Sequence, residues 1–324
     1  MPRLPVVSSL SGIWPIASYL HVPKHMPAPN WLMLGSAFAI DKGSLNLNPA
    51  FAAKHDVLLL TAAHSFSPWR CFKLNIPEDW RKARYVTGKV MQYDAHGSAD
   101  VTRTCELGVV AVHPTVDVAL VKVMKPDEFR KQCAAGPKDA PPAEEGEAAD
   151  VNDVFGTFRL TTPDFATDDA LVTSSIMGFR GRGSLGNTEW PSEEAVKAMP
   201  AEQRKALMEE QRNAVGKQDY NVCQVSLVKD PPVTDVPPLV PTSDAGELKG
   251  PASSIYSRAA VKSGSCYAGM SGSPLVFGPL IAEQPGQPRD AAGLLFQSGL
   301  KEKRNTEVLY VPSSAMIPWL ESLK

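Results

Sequence analysis

Apolar residues in this chain fall in short runs separated by segments rich in Pro, Gly, Asp and Ser. Residues 31–40 and 57–61 are apolar and strand-like, with a turn-rich stretch at 41–48 between them. Residues 84–93 and 106–112 alternate apolar with polar, as half-buried strands do, and 118–123 is a further short apolar run. Later in the chain, strand patterns recur at 170–179, 220–228, 254–262, 275–277 and 292–296. Helical signals gather at 190–216. There Ser192-Glu193-Glu194 and Pro200-Ala201-Glu202 look like helix starts, Lys205 and Glu209 share a face, and Gly216 is a stop. Many short strands and few long helices predict an all-β protein.

Composition refines this picture. The 324 residues suffice for two domains and a sizeable core, and 29 prolines with 23 glycines suit many turns. Residues 1–30 form a Pro-rich leader, and the first β-domain spans 31–125. Residues 126–150, acidic and rich in Ala and Pro, form a linker, and the second β-domain spans 151–324 with the helical insert at about 190–216. A net charge of −2 argues against a nucleic-acid partner, and no run of 18 apolar residues supports a membrane span. The helical insert is a solvated decoration or a protein-docking element, and the oligomeric state stays open.

The five cysteines, Cys71, Cys105, Cys133, Cys223 and Cys266, are odd in number, which suggests free thiols in a reducing compartment. Residues 1–40 lack Asp and Glu, while Pro15 interrupts the apolar stretch a secretory signal would need. The expected location is intracellular, in the mitochondrion or cytoplasm. No CxxC or HExxH spacing occurs, so no metal and no cofactor are expected.

The candidate chemistry centres on Gly269-Met270-Ser271-Gly272-Ser273-Pro274, where a serine sits between two glycines on a turn. Glycine lets the backbone approach a substrate closely. The N–H groups of Gly269 and Ser271 are the candidate oxyanion hole. A serine hydroxyl needs a base and an orienting carboxylate. His64 ends the apolar run Leu58-Leu59-Leu60-Thr61-Ala62-Ala63, and Asp117 precedes Val118-Ala119-Leu120-Val121. Other bases are conceivable, since the chain has six histidines. His113 lies near Asp117 but within its own loop, and His21, His25, His55 and His96 lack a matching context. The order His64, Asp117, Ser271 differs from the orders of subtilisin and the α/β-hydrolases.

With these segments, and with Gly35-Ser36-Ala37-Phe38-Ala39-Ile40-Asp41 and Gly293-Leu294-Leu295-Phe296-Gln297-Ser298-Gly299, the chain resembles the trypsin-like serine proteases of the chymotrypsin fold. It is most similar to the HtrA/Deg-type, non-zymogen branch, without a segment resembling a PDZ domain. The resemblance implies two antiparallel six-stranded β-barrels with the active site between them, and a short C-terminal helix around Ile317-Pro318-Trp319-Leu320. It implies a serine endopeptidase acting on polypeptides with catalytic His64, Asp117 and Ser271. It further implies a specificity pocket bounded by Ser265, Cys266, Leu295 and Gln297. Ser265 stands where trypsin has its acidic selector, and Leu295 where glutamyl endopeptidases have a histidine, so the pocket is neutral. Met270 replaces the aspartate that zymogens use to receive a new N-terminus. The alternative is a protease-fold scaffold or binding subunit with little activity.

Overall fold

The computed structural model describes residues 12–20, 30–67, 86–94, 96–135, 156–164, 174–181, 188–190, 193–215, 218–227, 256–278, 287–298 and 306–324. The first half of the chain supplies β1 (Ile13–Leu20), β2 (Asn30–Ala39), β3 (Leu58–Thr61), β4 (Val86–Tyr93), β5 (Ala99–Val112) and β6 (Ala119–Val123). These pair antiparallel in the order β1-β4-β5-β6-β3-β2, and a β1–β2 ladder closes the ring. The second half supplies β7 (Phe158–Leu160), β8 (Ser174–Gly181), β9 (Thr188–Trp190), β10 (Gln218–Leu227), β11 (Ser257–Ser263), β12 (Pro274–Phe277), β13 (Arg289–Ser298) and β14 (Glu307–Pro312). There β12-β8-β10-β11-β14-β13 close through a β12–β13 ladder, with β7 added parallel to β13. The architecture is two closed six-stranded antiparallel β-barrels, as the resemblance implied. Closure leaves each ring without a free edge.

The apolar runs explain the layering. All four residues of β3 are buried. Leu58 and Leu60 enter a cluster shared by both barrels, with Phe38, Phe158, Phe179 and Leu294, while Leu59 enters one confined to the first barrel. A strand covered on both faces reads as continuous apolar sequence, not as alternation. A third cluster, with Cys223, Met270, Leu275 and Leu295, fills the second barrel.

Several expected boundaries move. Residues 13–20, expected in a leader, form β1 of the first barrel. The expected linker opens with a helix, α2 (Pro126–Ala134), that follows the short α1 (Pro49–Lys54). Its Phe129 is fully buried against Trp14, ring centroids 5.2 Å apart. Phe129, with Cys133 beside it, thus binds an otherwise charged helix to the barrel, which composition alone did not disclose. Residues 136–150 lie outside the described residues.

The helical insert contains α3 (Glu193–Ala198) and α4 (Ala201–Val215). Just before it, β9 pairs with β2 of the first barrel. Leu207 of α4 packs on Ala17, Leu34, Met91 and Ala99, so the insert lies on the first barrel's flank. The C-terminal helix, α5 (Ser313–Glu321), seals the shared cluster with Met316 and Leu320. No helix among the described residues is long and apolar enough to cross a membrane.

Candidate active site

The three candidate residues are each carried at the end of a strand. His64 lies in the 3₁₀ turn Ala63–Ser65 directly after β3. Asp117 is in the loop between β5 and β6, and Ser271 is in the turn before β12. His64 is 6% exposed and Asp117 is fully buried. The His64 backbone N–H donates to Asp117 Oδ1 at 2.7 Å, and His64 Nδ1 lies 2.6 Å from Oδ2. A carboxylate only accepts, so Nδ1 carries the proton and Nε2 the lone pair in the neutral ring. The pair has the arrangement of a base oriented by an acid.

The loop carrying Asp117 is fixed by His113, whose Nδ1 accepts from the N–H groups of Thr115 (3.2 Å) and Val116 (3.1 Å). Its ring packs on Trp319. That bonding makes His113 a structural residue of the loop. His55 is buried against Phe51, and its imidazole is held below the usual pKa by burial first and by the charges of Lys122, Lys54 and Lys42. His96 lies in the turn between β4 and β5, and His21 and His25 lie outside the described residues.

Ser271 is delivered by backbone contacts from both barrels. Its carbonyl accepts from Ser36 N–H of β2 at 2.9 Å, and the following Gly272 N–H donates to Leu295 O of β13 at 2.9 Å. Gly272 has φ +89°, and a Cβ there would stand 2.2 Å from Ser36 O and 2.9 Å from Ala62 N. The turn therefore sits against the segment that leads into His64. Ser271 Oγ donates to the Phe296 carbonyl at 3.3 Å.

The proposed oxyanion donors are held indirectly. Ala268 O accepts from Gly181 N–H at 2.8 Å, and Met270 O accepts from Ser273 N–H at 3.0 Å. The C=O and N–H of a trans peptide point in opposite directions, so the Gly269 and Ser271 amides face away from those partners. Gly269 has φ +92°, and a Cβ would lie 2.7 Å from Gly181 N and 3.0 Å from Phe179 O. Ser36 Oγ donates to Gly269 O at 3.0 Å and accepts from Phe179 N–H at 2.8 Å. Met270 is fully buried in the second barrel's cluster and anchors the loop there.

The pocket candidates separate. Asn221 Nδ2 donates to Ser265 O at 2.9 Å, and Cys266 is half-buried. Leu295 is buried in the second barrel's interior with Met270, inside the wall and not on its surface. A ladder irregularity follows at Leu295/Gln297. The side chain of Gln297 lies outside the described residues. Beside the loop, the Arg180 guanidinium stacks over the exposed Tyr267 ring at 5.2 Å.

Tyr256 is the partner that spacing did not reveal. Its hydroxyl accepts the Asp117 N–H at 3.2 Å, and its ring stacks on Phe296, centroids 4.7 Å apart. Phe296 O holds Ser271 Oγ, so one second-barrel tyrosine connects Asp117 to the residue on which the Ser271 hydroxyl rests. The sequence signal was only a lone tyrosine ahead of β11. Among the described residues no group of three or more His, Cys, Asp or Glu side chains is gathered as a metal ion would need.

No protein-family model matches the sequence, and no curated protein matches it. Among solved structures, the chain is similar to the active form of the Rv3671c protease from M. tuberculosis, at 13% identity and TM-score 0.42, over 98% of this chain and 84% of that one. The inactive form of that protease gives 12% and 0.42, over 100% and 96%. Deg5 gives 12% and 0.41, over 98% and 91%. The chain has the two-barrel fold of the trypsin-like serine proteases. Likeness this distant leaves the chemistry to be read from the chain's own residues.

Proposed function

We propose that this chain is a serine endopeptidase whose triad is His64, Asp117 and Ser271. The observation that carries the reading is the His64–Asp117 pair, buried at the seam where the backbone of the Gly269–Ser271 turn is fixed. In this reading Ser271 Oγ, which rests on Phe296 O, turns toward His64 Nε2. His64 then accepts the hydroxyl proton as Oγ attacks the substrate carbonyl carbon. Asp117 stabilises the imidazolium, and the Gly269 and Ser271 amides receive the oxyanion. His64 passes its proton to the leaving amine, and water hydrolyses the acyl-enzyme by the same steps in reverse roles. Substrates are polypeptides entering a pocket without a charged selector, in an intracellular compartment that keeps the cysteines as thiols.

A second reading, a protease-fold scaffold, is favoured by one observation: the Ser271 hydroxyl is engaged by Phe296 O. A fluorophosphonate probe separates the two. The endopeptidase reading expects wild type to label on Ser271 and Ser271→Ala to stay unlabelled. Folded wild type that takes no label would establish the scaffold reading, and label retained by Ser271→Ala would remove the triad.

A further inference from the structure

The turn leading into the nucleophile loop runs closely along β10. Ser263 pairs with Gln224, and its Oγ donates to Gln224 Oε1 at 2.9 Å. At Gly264 a Cβ would lie 3.3 Å from Cys223 Cα and 2.8 Å from Val222 O. Asn221 then holds Ser265 O. This antiparallel descent packs Cys266 against the cluster that holds Cys223, whose Sγ lies 4.0 Å from Gln224 O. Both are free thiols, Cys223 buried in the second barrel's cluster and Cys266 half-buried against it. The other neighbouring pair is occupied differently, with Cys105 Sγ directed to Gln132 and Cys133 Sγ accepting from Gln92.

We propose that Cys223 and Cys266 form a site of reversible disulfide formation, tying the segment before Ser271 to β10 by exchange with low-molecular-weight disulfides such as glutathione disulfide. Activity enters only through the serine-protease reading; the bond itself does not depend on it. Cys266 is the sulfur within reach of solvent. As thiolate it attacks one sulfur of glutathione disulfide, forming a mixed disulfide and expelling one glutathione thiolate. Cys223 then gives up its proton and attacks Cys266 Sγ, expelling the second. Two protein thiols lose two electrons and two protons, and one glutathione disulfide becomes two glutathione thiols.

Disulfide geometry requires Cβ atoms about 3.8 Å apart. Drawing Cys266 to that separation pulls on Ala268 and Gly269, whose carbonyls are held by Gly181 and Ser36.

The test treats the full chain with glutathione disulfide and maps unreduced tryptic peptides. Peptides 218–229 and 263–289 should emerge joined, two hydrogens lighter than their sum. Dithiothreitol should reverse the link, and Cys223→Ala and Cys266→Ser should each abolish it. In wild type the fluorophosphonate labelling rate should change by more than about threefold on oxidation. In Cys223→Ala it should not respond. A stable glutathione adduct on Cys266, or a link from Cys266 to another cysteine, would overturn the proposal. A formed link with an unchanged labelling rate would overturn its coupling to the nucleophile. The link forming in a protein that never labels would support the disulfide site while removing the protease reading.

Discussion

In the first barrel, Asp117 receives two N–H groups from one residue, His64, inside a fully buried site. In the second, Ser271 is placed by its backbone while its hydroxyl leans on Phe296 O. Hydrogen bonds to a buried charge are worth about 1.5–3 kcal/mol each, roughly twice a neutral one. The acid–base half is therefore preset, with ring orientation and tautomer fixed before substrate arrives. The serine keeps one free torsion. On the endopeptidase reading, activity is governed on the second-barrel side, where small loop shifts decide whether hydroxyl and amides meet the substrate.

The largest blow to this contrast is Asp117→Asn. The amide cannot accept through its NH₂, so the ring loses its tautomer control. A fall in kcat of about 10⁴-fold is expected, with the fold kept by circular dichroism. A loss under tenfold would show that the first-barrel pair is not preset. Next comes Gly269→Ala, which puts a Cβ against Gly181 N and Phe179 O at a φ of +92°. The loop must give way, costing about 10²–10³ in kcat with little change in KM, as when one oxyanion donor is lost. An equal rise in KM would place the damage in substrate binding.

The smallest effect is expected for Tyr256→Phe, which keeps the ring on Phe296 and removes the acceptor of the Asp117 N–H. A buried donor left without its partner costs about 1–3 kcal/mol, measured as a lower urea midpoint. The labelling rate should fall less than in Asp117→Asn, because both His64 bonds remain.

Local patterns in the sequence nominate the candidate site, but not the seam on which it lies. Ser271 between glycines, His64 ending an apolar run and Asp117 opening another are local signals, and each is carried by the end of one strand. β1 was hidden by Pro15, which reads as a strand breaker. It is tolerated because the β4 ladder begins only at Ile16, so Pro15 faces no partner on that side. β14 escaped notice although residues 308–311 are apolar throughout. Leu295 was expected on the pocket surface, yet pleating turns it into the barrel interior. Tyr256 and Ser36 act across the seam, and long-range pairings leave no mark in spacing.

The three residues of β9 carry a mechanical consequence. They belong to the chain path between β8 and β10 yet complete a ladder on β2 of the other barrel. A nick anywhere between β6 and β7 would not release two independent halves. The C-terminal fragment would keep a strand paired on β2 of its neighbour and its share of the common core cluster.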